Sequence, residues 1–212
     1  MVLDRTAFYP GGGGQPADQG TLKIGGKTYQ VLKLEKSGED VVHHTDSPCH
    51  AKVGDEIEGS IDSDLRMKHN RTHTAMHILC GVIYHEFGAS VSGGDFGPLS
   101  GRMDFDIDNF TKERLEIIES KCNEAVGNAH PIKVEFLTHD QAREIPDLIR
   151  TKINLIPKTV TKVRTIEIVG LDRQADGGTH VANTSEVGKI RIIKVDNKGK
   201  GRRRIYIEID DA

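Results

Sequence analysis

The period of the apolar residues changes once along this chain, at Asp62, and that change sets the architecture. Before it lie short strands broken by turns. Residues 21–24 and 27–34 flank Gly25-Gly26, the two-residue signal of a type I′ hairpin. Ser37-Gly38-Glu39-Asp40 turns into a run at 41–44, and 53–61 reads as one more strand around a turn. Strands this short and closely spaced predict a small β-barrel over residues 1–62. Asp62 suits an N-cap; from Leu65 to Phe87 the apolar residues follow a helical period, and Gly88 is placed to stop the helix.

Residues 63–212 mix helices and strands. Leu115, Ile118, Cys122 and Ala125 mark one face of a helix over 111–126, closed by Gly127. Residues 132–137 predict a strand, and Thr138-x-x-Gln141 a capping box that opens a short helix. Strands follow at 163–169, 190–195 and 205–209, while 145–158 fits neither period. The fold class expected is therefore α+β: a small N-terminal barrel followed by an α+β domain.

Charge and cysteine usage narrow the function. With 29 basic against 32 acidic residues the net charge is -3, so any nucleic-acid contact needs a local patch. No apolar run approaches a membrane span, and the N-terminus lacks a signal-peptide core. Three scattered cysteines, Cys49, Cys80 and Cys122, read as reduced thiols, so a cytoplasmic protein without a membrane is expected. Ten histidines and 23 glycines remain to be explained.

Four stretches carry chemistry. His73-Thr-Ala-Met-His77 puts two imidazoles at i and i+4 on one helical face, within reach of one metal ion, and His69 extends that face. Three ordinary histidines in a His-rich chain would look the same. Thr74 stands where a zincin peptidase has glutamate, which argues against that class. Asp176-Gly-Gly-Thr-His180 places a carboxylate and an imidazole on a tight loop, and taken alone would be a Gly-rich turn with a capping Asp. Gly11–Gly14, between Phe8-Tyr9-Pro10 and Gln15-Pro16, lacks the Gly-Lys-Ser/Thr of a P-loop. Its flanking prolines and aromatics favour a fixed loop over a linker. Lys198-Gly-Lys200-Gly-Arg202-Arg203-Arg204 is either a solvated hairpin tip or a phosphate-backbone patch. His43, His44, Cys49 and His50 form a rival cluster whose spacing fits no standard zinc pattern.

In order and spacing, the run 3–20, His73-x-x-x-His77 and Asp176-Gly-Gly-Thr-His180 resemble the editing domain of alanyl-tRNA synthetase. Val91-Ser-Gly-Gly94 and Arg102-Met-Asp-Phe105 fit the same family. The chain resembles a free-standing alanyl-tRNA editing protein of the medium-length AlaX type, over essentially its whole length. The resemblance implies a hydrolase that acts on alanine tRNA mischarged with serine or glycine, with one zinc ion per chain. It implies His73, His77 and His180 as zinc ligands, with Asp176 at the position where the family carries cysteine. A carboxylate can ligate zinc or orient a ligand from behind, and four protein ligands would close the site. No covalent nucleophile is required, because the ester is already activated, and no catalytic residue is assigned. Zinc there can polarise the carbonyl, hold the amino acid or acidify a water. Gly13, Gly14 and Gln15 would border the pocket for the terminal adenosine, and Ser92, backed by Thr6, would meet the serine hydroxyl. Lys198, Lys200, Arg202 and Arg203 would grip the tRNA. The alternative is a non-catalytic tRNA-binding module with a structural zinc, and a third reading is a metal-dependent hydrolase of another ester.

Overall fold

The computed structural model describes residues 1–108, 110–145, 147–148, 162–199 and 201–211, so most of the stretch 145–158 and Lys200 lie outside the described residues. The N-terminal strands are β1 (Gly20–Ile24), β2 (Lys27–Ser37), β3 (Asp40–Thr45) and β4 (Ile57–Ile61). They form an open antiparallel sheet in the order β3-β2-β1-β4, not the expected closed barrel. The turns at Gly25-Gly26 and Gly38-Glu39 keep β1, β2 and β3 as a meander, and β4 adds to the free edge of β1, leaving β3 and β4 at opposite edges. Phe8, from the preceding segment, closes the apolar face instead and packs with Leu22, Val31 and Leu34.

Asp62 caps α1 (Ser63–Phe87) by accepting a hydrogen bond from Leu65 N at 2.9 Å, and Gly88 ends it in the left-handed conformation. Nearly every residue from His69 to Ile83 is buried, because neighbours cover the helix on all sides. One neighbour is a sheet that the sequence pattern missed in part. It contains β5 (Val91–Gly97) and β6 (Ser100–Asp106). Beyond them come α2 (Lys112–Gly127), β7 (Ile132–Leu137), α3 (His139–Glu144), β8 (Val163–Ile168), β9 (Asp172–Ala175), β10 (Ile190–Asn197) and β11 (Arg202–Ile209). The larger C-terminal sheet runs β10-β11-β6-β5 and the smaller β7-β8-β9, with every pairing antiparallel, as an α+β fold requires. Met76, Leu79, Val82 and Ile83 of α1 share one core with Phe105, Ile118, Cys122, Ile205 and Ile207. Among the described residues no helix is long and apolar enough to cross a membrane.

Arg66 of α1 ties the helix to the N-terminal segment. Its Nε donates to Asp18 Oδ1 at 2.8 Å, and its Nη2 to Ala7 O at 2.8 Å, while Tyr9 N donates to Asp18 Oδ2 at 2.6 Å. The glycine run is thus anchored at both ends.

Two buried imidazoles give the fold an acid limit. Burial holds both His43 and His69 below the ordinary histidine pKa of 6.5. Below 6.5 the unfolded chain takes up these protons and the folded chain does not. Stability should therefore be full above that pH and fall as pH drops toward the lowered folded values, by up to about 1.4 kcal/mol per pH unit per ring. Urea titrations between pH 8 and 5 check this. His43→Gln should flatten the slope, and an unchanged slope would remove His43 from the account.

Candidate metal centre

Two elements bring the donors together. Helix α1 presents His73 and His77 one turn apart, and the loop after β9 carries Asp176 and His180. Asp176 Oδ2 lies 2.9 Å from His73 Nε2 and 3.4 Å from His180 Nε2. One ligand atom from each of these three residues lies within 4.8 Å of the others. The loop is built to hold that carboxylate. Gly178 N donates to Asp176 Oδ1 at 2.6 Å, which leaves Oδ2 facing the imidazoles. Arg164 Nη1, from β8, donates to the carbonyls of Asp176 at 2.9 Å and Gly178 at 2.8 Å. Asp176 N in turn donates to Arg164 O at 3.1 Å.

The electrostatics suit a cation. Burial, helped by the neighbouring His73 and opposed by Asp176, pushes His180 down to about 3, so its ring is neutral and its lone pair available. Burial alone would raise Asp176, but the adjoining imidazoles, His73 first, outweigh it and hold the carboxyl well below the usual range. His180 Nε2 is buried and makes no hydrogen bond among the described residues. Such an atom facing a carboxylate is costly unless a proton or cation lies between them. Two imidazole nitrogens and a carboxylate oxygen form a donor set that zinc accepts.

His77 does not join the three. Its Nε2 faces Asp172 Oδ2 at 3.4 Å, and its ring centroid is 5.6 Å from that of His180. Asp172, fully buried at the start of β9, also accepts from Gln174 Nε2 at 2.6 Å. A buried carboxylate favours neighbours that can carry positive charge, and His77 faces it, although its ring nitrogens make no hydrogen bond among the described residues. Among the described residues His43, His44, Cys49 and His50 form no comparable cluster; His43 Nε2 is instead bonded to Thr6 Oγ1 at 2.9 Å.

The other expected site residues divide. The glycine run folds back on itself through paired Gly12 and Gln15 backbone bonds, with φ positive at Gly11, Gly12, Gly13 and Gly14. Gly14 O accepts from Phe96 N at 3.3 Å, and a Cβ on Gly14 would meet Gly94 O, so the run lies against β5. Gly13 is at the open tip. Gln15 is not at an open pocket wall. It is 3% exposed, and its amide bonds His73 and Thr179. Ser92 is exposed on β5 at a bulge, where the register with β6 shifts between Val91 and Gly93. Its hydroxyl donates to Asp104 O at 3.4 Å. Thr6, bonded to His43 and to Phe8 N, lies outside the three-residue group.

The basic run is a strand start more than a hairpin tip. Arg202 and Arg203 belong to β11, and acidic neighbours meet part of the charge. Lys198 Nζ lies 3.6 Å from Asp196 and Arg202 Nε 3.7 Å from Asp106. Arg203 Nη1 donates to Asn197 Oδ1 at 3.0 Å. Sequence reasoning missed Arg164 and Thr179 as supports of the centre, and Asp172 as the group that His77 faces. Thr179 lies inside a marked motif, but nothing local marks a strand arginine whose value lies in reaching a distant loop.

The chain matches known families along its length. The profile described as "Threonyl and Alanyl tRNA synthetase second additional domain" covers residues 163–206, and "tRNA synthetases class II (A)" covers residues 1–65. Alanyl-tRNA editing protein AlaX-M of Saccharolobus solfataricus is 38% identical over 212 residues, spanning 99% of this chain and 88% of the relative. AlaX-M of Methanosarcina barkeri is 36% identical over 216 residues, spanning 100% and 89%. An alanine–tRNA ligase of Methanothermobacter thermautotrophicus is 36% identical over 215 residues, but the chain spans only 24% of that protein. At this identity and coverage, the chain belongs to the AlaX-M family of alanyl-tRNA editing proteins.

Proposed function

We propose that this protein is a trans-editing deacylase that hydrolyses seryl or glycyl esters from mischarged alanine tRNA, using one zinc ion held by His73, Asp176 and His180. The observation that carries the reading is the convergence of these three side chains beside the glycine run, in a chain that matches free-standing editing proteins over nearly their full length. Zinc with three protein ligands keeps a position open, and supplies polarisation of an ester carbonyl. The residues around it position the substrate. The Gly12–Gly14 backbone borders the approach for the terminal adenosine, and Ser92, freed from the ladder by its bulge, is offered to the amino-acid side chain. We assign the division near residue 62 to an N-terminal unit over residues 1–62 that carries the glycine run and an editing unit over residues 63–212.

A deacylation assay with alanine tRNA charged with serine, glycine or alanine tests this. Seryl ester should be hydrolysed faster than alanyl ester, because a site that hydrogen-bonds a hydroxyl is left unpaired without it. Ser92→Ala should slow seryl more than glycyl hydrolysis, and equal losses would give Ser92 a purely structural role. Zinc binding with no hydrolysis of any of the three esters would favour a non-catalytic tRNA-binding module.

Lys198, Arg202 and Arg203, with Lys200, are assigned to the tRNA backbone. Removing one cation from a phosphate should reduce the slope of log K against log salt by about 0.7–0.9. Arg202→Ala/Arg203→Ala should therefore weaken binding and flatten that slope together in filter-binding titrations. Wild-type affinity with a wild-type slope would return the run to an ordinary solvated strand.

A further inference from the structure

We propose that Gln15 and Thr74 are positioning residues that fix the tautomers of His73 and His180, so that both rings turn an unprotonated Nε2 toward the candidate metal position. The inference rests on the metal reading above, but its first test does not need the metal.

Gln15 is settled by a backbone group. Thr179 N can only donate, and it lies 2.9 Å from Gln15 Oε1. The amide orientation is therefore not free: Oε1 is the acceptor, and Nε2 donates to Thr179 Oγ1 at 2.7 Å. The same Oε1 lies 3.1 Å from His73 Nδ1, so that nitrogen must carry the proton. In the neutral ring Nε2 then keeps its lone pair, and Nε2 is the atom that faces Asp176.

Thr74 acts on the second ring in the same way. Its single hydroxyl proton goes to Asn70 O, one turn back, at 2.8 Å. Its oxygen is left to accept, and two donors approach it: Val181 N at 3.2 Å and His180 Nδ1 at 3.2 Å. His180 is thereby protonated at Nδ1, and its buried Nε2 has no hydrogen-bond partner among the described residues. Gln15, from the glycine run, and Thr74, from α1, thus impose one tautomer on rings stacked 4.2 Å apart. Thr74 stands where a zincin peptidase would place an acid that handles water; here the short hydroxyl reaches a ligand's far nitrogen instead.

Partners of this kind are worth about 10–100-fold in metal affinity. Imidazole ¹⁵N–¹H correlation spectra of zinc-loaded wild-type protein should show protonated Nδ1 and unprotonated Nε2 on both rings. In metal-free protein at pH 9 both rings should keep the proton on Nδ1. By chelator competition, Thr74→Val and Gln15→Leu should bind zinc about 10–100-fold more weakly, while Thr74→Ser and Gln15→Glu, which keep an acceptor, stay within a few-fold of wild type. An Nδ1 without its proton on either ring, or a protonated Nε2 in the zinc-loaded protein, would overturn the proposal, and so would wild-type zinc affinity in both Thr74→Val and Gln15→Leu. If wild-type protein bound no zinc, the metal reading would fail by itself, and the metal-free spectra would still judge the tautomers. If the valine and leucine variants failed to fold, the wild-type spectra would carry the decision.

Discussion

Asp176→Ala should strip zinc from the protein and abolish deacylation together. In the structure this carboxylate is the hub: Oδ2 faces both imidazoles, and Oδ1 is pinned by Gly178 N. Removing it leaves two imidazoles on a buried site with no anion to offset a dication. The loss should exceed the roughly 10–100-fold expected when a group merely orienting a ligand is removed. His77→Ala should cost less zinc affinity than Asp176→Ala, His73→Ala or His180→Ala, because His77 faces Asp172. Asp176→Cys should bind zinc more tightly than wild type, thiolate being the softer donor. Elemental analysis and chelator competition on the five variants and the wild type give the ranking. Asp176→Ala with full zinc affinity would take the carboxylate out of the donor set, and His77→Ala matching His180→Ala would return His77 to it.

Elements were legible where local chemistry marks both ends. Asp62 and Gly88 bracket α1 as expected, and the Thr138–Gln141 capping box opens α3. β5 and β6 were hidden because Gly93, Gly94, Gly97 and the bulge at Ser92 break the alternation by which a strand is recognised. The barrel failed for a different reason. Strand spacing shows how many strands there are, whereas closure depends on which edges meet, and Phe8 covers the face that a closing strand would have covered. At the site, His73, Asp176 and His180 carry motif spacing, so their convergence could be anticipated. The turning of His77 toward Asp172 depends on how β9 is placed against α1, and no local pattern records that. Gln15 was noticed for its neighbours in the glycine run, yet its bonds reach Thr179, 164 residues away.

Gly178→Ala should destabilise the protein and loosen its zinc, though it adds only one methyl group. A Cβ at this position would lie 2.2 Å from His73 Cε1, 2.4 Å from His73 Nδ1 and 2.6 Å from Gln15 Oε1. Real Cβ atoms do not come so close, so the His73 ring, the Gln15 amide or the loop must move. Arg164 holds the loop through the Asp176 and Gly178 carbonyls, and α1 is packed around its whole middle, so neither side yields cheaply. Overpacking of this kind costs about 1–3 kcal/mol. Each kcal/mol should lower the melting temperature by roughly 2–4 °C in a chain of this length. The displaced ring loses both its bond to Gln15 and its aim at Asp176, so zinc affinity should fall with stability. Gly177→Ala is the control: nothing among the described residues lies within 4 Å of a Cβ there, and a change within about 0.5 kcal/mol is expected. Differential scanning calorimetry with and without chelator, run on both variants, separates the effects. If Gly178→Ala melts and binds zinc like Gly177→Ala, the His73 ring does not rest on this glycine, and the close approach that brings the loop to the helix is wrong.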